Sequence, residues 1–388
     1  MDMQVLLRAI YHLSAMRGDS TARVAIVVDG ETGICADAVV ALLHPWRSWL
    51  EIADVLVTDT NPGDGWLDMI CAGGVTTVSV VSERTEFATA LQSAVQGHGL
   101  DALGSDYPTD GGRTSALFAE MAHHHYELGG VNEWDGATVQ FAPQVLKHIS
   151  AANCIAYFPQ YILDELRASR QTLGRPLEAL DVGSGPISRL RWGAVQGLLH
   201  VIGVDPLIDI YDVIMRYHGL DRLPAIRVDR AINANAEDLD SHVAAGSIDF
   251  AFCCNALDHV EDPPAVIAQL AHALRPGALF ALEFATREGS RQSWQQLHQF
   301  DLFVNAEQTE IMCQWHDGRV DALVPRDAPL VLDRIVMTAD DYTVAVLRHD
   351  ELTSCLRHEA AESLSARELP PLRNYITGLL KKAPRSHW

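Results

Sequence analysis

The chain has 388 residues, of which 48% are hydrophobic and 21% are charged. This composition is typical of globular proteins, and the length allows two domains of ordinary size. The formal net charge of −22 argues against nucleic-acid partners and polyanionic substrates, because phosphate groups are bound by clusters of Lys and Arg.

The seven cysteines form no Cys-x-x-Cys pair. An odd, scattered set of cysteines indicates reduced thiols and predicts a cytoplasmic location, without a disulfide framework or a zinc site. No stretch reaches roughly 18 consecutive apolar residues, so no membrane span is predicted. The first residues show helical periodicity, which favours an amphipathic helix over a signal peptide.

Residues 1–110 are predicted to form a small α/β domain. Apolar runs alternate there with segments of helical length, which is typical of a parallel sheet. The predicted strands are Val24–Val28, Asp54–Thr58 and Val75–Val81, and the predicted helices are Ala36–Leu50, Trp66–Ala72 and Glu86–Gln96. Asp29 and Asp59 follow two of these strands, as an acidic pair does in some metal or phosphate sites, but a solvated loop is the favoured interpretation.

The polar segment Leu103–Ser115 is the predicted domain boundary. Residues 116–173 then form a largely helical lead-in that we expect to cap a later pocket. This lead-in contains His123, His124 and His125. Three consecutive residues point in different directions around a helix, so no metal site is predicted here.

The most informative stretch is 177–206. Leu177–Val182 reads as a buried strand that ends at the turn Gly183–Gly185, and Pro186–Leu199 reads as a crossover helix. A second strand, Val201–Val204, then delivers Asp205 to the carboxyl edge of a parallel sheet. Doubly wound folds bind their ligands at this edge.

The glycine turn departs from a dinucleotide fingerprint. Ser188 occupies the third glycine position, and Asp181 stands two residues before the first glycine. An acid beside the turn repels a pyrophosphate but accepts hydrogen bonds from an amino group, whereas Asp205 is placed for ribose hydroxyls. These features favour S-adenosylmethionine as the ligand, and an ordinary strand, turn and helix is the alternative.

Later strands complete the same edge. After a third predicted strand, Ala225–Val228, Asn235 would bond an adenine amine or cap a helix, and the Ala236 N–H would bond a ring nitrogen. A fourth strand within Ser247–Ala256 delivers Asn255, Asp258 and His259, although Asp258 is equally suited to start a turn.

The remaining predicted elements are the helix Ala265–Leu274, the strand Ala278–Phe284, a hairpin within 309–324, the strand Tyr342–Arg348 and a helical C-terminal tail, residues 351–388. His298 lies between the fifth strand and the hairpin, where it lines a substrate pocket or sits on a core or surface helix.

Five motifs in this order resemble those of class I S-adenosylmethionine-dependent methyltransferases, over about residues 140–350. They are ALDVGSG (179–185), VIGVDP (201–206), NAEDL (235–239), NALDHVEDP (255–263) and LRPGALFALEF (274–284). The resemblance implies a doubly wound, mostly parallel, seven-stranded methyltransferase sheet in residues 116–350, beside the smaller N-terminal α/β domain. DVGSGPIS, VDPL, NALDH and LHQF look most like a bacterial subgroup associated with glycan or secondary-metabolite pathways.

The resemblance also implies the roles of particular residues. It assigns the methionine end of the cofactor to Asp181, Gly183 and Gly185, the ribose to Asp205, and the adenine to Asn235 and Ala236. Asn235 stands where Asp is commoner. The full predicted cofactor set is Asp181, Gly183, Ser184, Gly185, Asp205, Pro206, Asn235, Ala236, Glu237 and Asn255.

The predicted activity is O-methylation of a small molecule or sugar hydroxyl. An oxygen acceptor must lose its proton, for which His259, Asp258 and His298 are the candidate bases, and no metal is predicted. Two alternatives stay open: a non-catalytic partner protein that binds the adenosine cofactor, and a nicotinamide oxidoreductase.

Overall fold

A computed structural model describes residues 3–350. The gaps in the description are residues 15–21, 31–34, 45, 47–49, 59, 61, 83, 104–112, 114–115, 118, 122–157, 218–219, 221–227, 296, 326–327 and 338–341. The predicted tail 351–388, the histidines 123–125 and Asp59 lie outside the described residues.

The N-terminal part is built on a four-stranded parallel sheet of order β2-β1-β3-β4. Its elements are α1 (Met3–Ser14), β1 (Ala22–Asp29), α2 (Ala36–Leu43), β2 (Leu50–Thr58), α3 (Asp64–Ala72), β3 (Thr77–Val81), α4 (Thr85–Gly97) and β4 (Asp101–Leu103). The predicted alternation of strands and helices is confirmed. The sequence analysis missed β4, which has only three residues.

Strand β1 is buried on both faces. Val24, Ile26 and Val28 pack toward α1 and α2, whereas Ala25 and Val27 pack toward α3 and α4. This arrangement explains the continuous apolar run, which is typical of a central parallel strand covered on both sides. At its end, Asp29 is buried and forms an ion pair with Arg84, with Nε and Oδ2 2.6 Å apart.

The second sheet has seven strands in the order β13-β14-β9-β8-β5-β6-β7. The strands are β5 (Leu177–Val182), β6 (Leu199–Val204), β7 (Arg230–Ile232), β8 (Ile248–Cys254), β9 (Leu274–Ala285), β13 (Leu330–Met337) and β14 (Tyr342–His349). Strands β5 to β9 pair in parallel, and β14 lies antiparallel to both β9 and β13. This confirms the predicted doubly wound, mostly parallel, seven-stranded sheet.

Helices cover both faces of this sheet. They are α5 (Gln160–Leu173), α6 (Arg191–Val195), α7 (Ile208–Tyr217), α8 (Pro263–Ala273) and α9 (Glu288–Arg291). Leu180 and Val182 of β5 face the side covered by α8, whereas Leu177 and Ala179 face α5. Among the described residues, no helix is long and apolar enough to cross a membrane.

Two predicted elements differ from the structure. The crossover expected over Pro186–Leu199 is helical only in α6, where Gly193 packs against Leu199, so that a Cβ at Gly193 would lie 2.5 Å from the Leu199 side chain. The described third strand is Arg230–Ile232, whose backbone pairs with Ile202–Val204. Of the predicted strand Ala225–Val228, only Val228 lies within the described residues, and it belongs to no strand.

A small antiparallel sheet is inserted between β9 and β13. It contains β10 (Phe300–Val304), β11 (Ile311–Trp315) and β12 (Val320–Ala322), in that order. Strands β11 and β12 form the predicted hairpin. Gly318 adopts a φ of +88° in its turn, a conformation that glycine adopts without a steric penalty.

Helix α7 joins the two sheets through a common core. Its residues Ile210, Val213 and Ile214 belong to the same buried cluster as Leu7 and Ile10 of α1. That cluster also contains one face of β1. The helix that follows Asp205 is therefore packed by the N-terminal elements.

Candidate functional site

The carboxyl ends of three central strands lie side by side. Val182 of β5 pairs with Val204 of β6 and with Cys253 of β8. The residues that follow, among them Gly183 and Asp205, therefore meet at one edge of the sheet. This is the edge where doubly wound folds bind ligands.

The turn after β5 requires glycine at Gly183. Its φ is +65°, and an added Cβ would lie 2.2 Å from the Cβ of Ala256. The Gly183 N–H donates to the carbonyl of Val204 at 2.8 Å. Gly185 also has a positive φ, of +58°, but an added Cβ there would contact no protein atom within 4 Å.

Asp205 fixes this turn from the neighbouring strand. Its Oδ2 accepts a hydrogen bond from the Gly185 N–H at 3.1 Å, and its Oδ1 accepts one from the Leu207 N–H at 2.9 Å. The buried carboxylate thereby orders both loops that face the cavity.

Asp181 is a buried carboxyl group at the end of β5, 2% exposed. Its pKa is raised to about 7, mainly by burial and also by the charge of Asp205, against the opposing effects of a hydrogen bond from Ser188 and the charge of Arg189. The Ser188 Oγ donates to Oδ2 at 2.5 Å. Ser188 was read only as a missing glycine, and the structure shows that it orients Asp181.

Arg189 is a cavity residue that the sequence analysis missed. Its Nη1 lies 3.1 Å from Oε1 of buried Glu283 on β9. Its charge favours ionisation of Asp181. The cavity therefore offers an anionic and a cationic group close together, which suits the ammonium and carboxylate groups of an amino acid.

The loop after β7 forms another wall. Asn235 occupies the N-cap position of the 3-10 helix Ala236–Ser241, as one alternative predicted, but its side chain makes no capping hydrogen bond. Glu237 accepts hydrogen bonds at Oε1 from the N–H groups of Glu261, at 2.7 Å, and Asp262, at 3.3 Å. Glu237 thus ties this loop to the one that follows β8.

Asn255 ends β8 in a left-handed conformation, with a φ of +47°. Its backbone N–H donates to the Glu283 carbonyl at 2.8 Å, and its side-chain Oδ1 accepts from the Ala285 N–H at 3.2 Å. Asparagine tolerates this conformation better than most residues. These bonds turn the chain sharply into the segment 256–259.

The three predicted catalytic residues lie together. Asp258 and His259 belong to a 3-10 turn, Leu257–His259, and the Gln299 N–H donates to the Asp258 carbonyl at 3.1 Å, which brings His298 alongside. His298 Nδ1 lies 2.8 Å from Asp258 Oδ2 and 3.1 Å from His259 Nε2. Asp258 raises the pKa of His298 through this hydrogen bond, and burial partly opposes the shift.

Glu288, on α9, is a second residue that the sequence analysis missed. Burial raises its pKa, and the charge of Asp258 adds to the shift, whereas His298, Asn255 and His259 lower it. Its Oε2 is buried without a hydrogen-bond partner among the described residues. This side of the cavity therefore holds two carboxyl groups and two imidazoles.

The segment before the seven-stranded sheet contributes to the site. Arg113 donates from Nη1 to the His259 carbonyl at 3.0 Å, and its Nε lies 3.2 Å from Glu261. Leu117 and Glu120 also line the cavity. Both belong to the predicted lead-in, of which residues 122–157 lie outside the description, so its role as a cap stays a prediction.

A cavity of about 750 Å³ lies at this edge of the sheet. The predicted residues on its wall are Asp181, Gly183, Ser184, Gly185, Asp205, Pro206, Asn235, Ala236, Glu237, Asn255, His259 and His298. Of the predicted site residues, only Asp258 does not line the cavity; its carboxylate contacts His298, which does. The glycine turn at Gly183 and the neutral-range pKa of Asp181 fit a ligand that carries an ammonium group.

Comparisons with known proteins agree on the class. Residues 155–319 match a family model described as a methyltransferase domain. No curated protein matches the sequence.

Three similar solved structures are methyltransferases. The Burkholderia thailandensis 1,6-didemethyltoxoflavin-N1-methyltransferase, with bound 1,6-didemethyltoxoflavin and S-adenosylhomocysteine, is 18% identical over 48% of this chain and 76% of that chain, with a TM-score of 0.30. An S-adenosylmethionine-dependent methyltransferase from Mesorhizobium loti is 15% identical over 45% and 91%, with a TM-score of 0.30. One from Aquifex aeolicus is 16% identical over 54% and 100%, with a TM-score of 0.35.

The matched domain contains the strands β5 to β9, whose carboxyl ends carry the site. Residues 155–319 therefore form a methyltransferase domain.

Proposed function

We propose that this methyltransferase methylates a hydroxyl oxygen of a small molecule or sugar. The observation that supports this proposal is the cluster of Asp258, His259 and His298 beside the glycine turn, because a hydroxyl acceptor must lose a proton. When bound, S-adenosylmethionine supplies a methyl group whose bond to sulfur breaks as the acceptor oxygen bonds to carbon.

The residues of the chain position the reactants and handle the proton. We assign the cofactor's ammonium group to Asp181, its carboxylate to Arg189 and its ribose to Asp205. Asn235 and Ala236 would contact the adenine. On the acceptor side, the cluster of Asp258, His259 and His298 promotes loss of the hydroxyl proton.

The charge of the cavity supports an uncharged acceptor. Its acidic wall residues include Glu120, Asp181, Asp205, Glu237 and Glu288, whereas its only Arg or Lys residues within the described part of the chain are two arginines. Phosphorylated or nucleic-acid acceptors are therefore disfavoured, as the net charge also suggests. A glycan or a secondary metabolite would suit such a site.

We also propose a cytoplasmic location and a three-part organisation. The described cysteines, Cys35, Cys71, Cys253, Cys254 and Cys313, are free thiols. Such thiols suit a reducing compartment. In the proposed organisation, residues 1–110 form the small domain, residues 116–350 the methyltransferase domain and residues 351–388 the tail.

Transfer of an isotopically labelled methyl group tests the acceptor. The protein is incubated with labelled S-adenosylmethionine and a cell extract that has been separated by ultrafiltration into small molecules and macromolecules. We expect label in the small-molecule fraction, located on oxygen by mass spectrometry. The variant Asp205→Ala should transfer no label, whereas the matched control Asp212→Ala, on α7, should transfer it normally. Label confined to macromolecules, or found on nitrogen, would refute the proposal.

A further inference from the structure

Three potential metal-ligand atoms converge at the acceptor side of the cavity. Asp258 Oδ2, His259 Nε2 and His298 Nδ1 form a triangle with sides of 2.8, 3.1 and 3.5 Å. The same nitrogen, His298 Nδ1, faces both of the other atoms. The sequence spacing gave no sign of this convergence, because His298 lies far along the chain from Asp258 and His259.

A chain of hydrogen bonds does not account for this triangle well. An imidazole nitrogen carries at most one hydrogen, so His298 Nδ1 cannot donate to Asp258 and also accept from His259. A proton relay would use the two different nitrogens of the His298 ring. The arrangement instead resembles three ligands around a common point.

The separations agree with a coordination sphere. With bonds of about 2.1 Å, neighbouring ligands lie about 3.0 Å apart in an octahedral site and about 3.4 Å apart in a tetrahedral one. We propose that Asp258, His259 and His298 bind a divalent first-row transition-metal ion. Two imidazoles and one carboxylate are a donor set that such ions accept, with positions left open for a substrate.

The burial of the carboxylates supports a cation at this point. Asp258 is 3% exposed, and within the described part of the chain no Arg or Lys forms an ion pair with it. Its Oδ1 lacks a hydrogen-bond partner, as does Oε2 of nearby Glu288. A buried carboxylate without full compensation is costly, and a divalent ion would supply the missing charge.

The ion would act directly on the acceptor. This inference rests on the proposed O-methylation, because His259, His298 and Glu288 line the same cavity as the glycine turn. A hydroxyl oxygen bound to the ion loses its proton more readily: the O–H bond breaks, its electron pair stays on oxygen and the proton passes to solvent. The oxygen is then ready to accept the methyl group.

Cobalt binding tests the site without any methyl acceptor. The full chain is purified without metal-affinity resin, treated with a chelator and titrated with Co²⁺ while visible absorption is recorded. We expect one Co²⁺ per chain with absorption bands typical of nitrogen and oxygen ligands. His298→Gln and His259→Gln should each weaken binding at least about 100-fold, whereas His272→Gln, on the exposed face of α8, should leave it unchanged.

Calorimetric binding of S-adenosylhomocysteine to the same samples separates this inference from the proposed function. If the cofactor product binds but Co²⁺ binds no more tightly to the natural chain than to the two variants, the metal site is refuted. If Co²⁺ binds as expected while S-adenosylhomocysteine does not bind, the metal site stands and the proposed function fails. Cofactor binding also shows that each variant is folded.

Discussion

The two ends of the cavity are built differently. At the cofactor end, Asp181 and Asp205 are close in sequence and bonded to the turn that they support. At the acceptor end, Asp258 and His298 come from separate loops, and the carboxylates of Asp258 and Glu288 each keep an oxygen without a hydrogen-bond partner in the described structure. The first end is therefore fixed by hydrogen bonds within the fold, whereas the second keeps buried carboxylate oxygens whose charge the proposed metal ion would compensate.

The largest expected effect is that of Gly183→Val on the cofactor end. The new side chain would overlap Ala256 and force a β-branched residue into a positive φ. We expect no measurable binding of S-adenosylhomocysteine by calorimetry. Gly246→Ala is the control, because Gly246 has a φ of +59° but open space around it; it should cost about 1–2 kcal/mol of stability and leave binding intact.

Asp205→Ala should have the next largest effect. It removes the acceptors for the N–H groups of Gly185 and Leu207 together with the proposed ribose contact. Loss of two hydrogen bonds to a charged group predicts about 100-fold weaker binding. Asp212→Ala, which removes an ion pair with Arg216 on α7, should change the dissociation constant little, and equal losses in both variants would contradict the assignment.

The pH dependence of binding tests Asp181. The pKa of Asp181 is raised from 3.8 to about 7, so its protonated form stabilises the ligand-free fold at low pH. This contribution to the free energy of unfolding is lost as the pH rises through 7. Binding of an ammonium group needs the ionised form, so the affinity should rise with pH. From one protonation at this pKa, we expect about an eightfold gain between pH 6 and pH 7.5.

Asp181→Asn provides the control for that profile. This variant should bind S-adenosylhomocysteine weakly at every pH, with no pH dependence of the affinity. If a different ionisable group caused the pH dependence, the variant would still show it. The measurement is isothermal calorimetry in buffers of different ionisation enthalpy, which also counts the protons released.

The smallest expected effect on cofactor affinity is that of His298→Gln. Since His298 belongs to the acceptor end, the dissociation constant of S-adenosylhomocysteine should stay within about twofold of the natural value, while turnover falls about 100-fold or more. A large loss of cofactor affinity would show that the two ends are not separate.

Much of the fold was predictable because its signals are local. Buried parallel strands appear as apolar runs, and the glycines after β5 mark a tight turn whatever the rest of the chain does. The strand Arg230–Ile232 was not predicted, because it is short and begins with a charged residue. Its position is set by pairing with β6, which no local pattern shows.

The acceptor end was only partly predictable for the same reason. Asp258 and His259 follow a strand and were found, but their contact with His298 depends on the path of the chain through α9 and β10. Arg189 and Glu288 carried no motif. Their place in the cavity follows from burial and from ion pairs across the sheet.

The shared core around α7 also has a consequence for how the chain unfolds. Ile210, Val213 and Ile214 are fully buried against α1 and β1, although α7 follows the strand that ends at Asp205. Heat or denaturant that unfolds the N-terminal sheet would remove the packing of this helix. The proposed ribose contact of Asp205, which precedes the helix, would then weaken. The two sheets should therefore behave as one cooperative unit, and a fragment cut between them would expose an aggregation-prone apolar helix face.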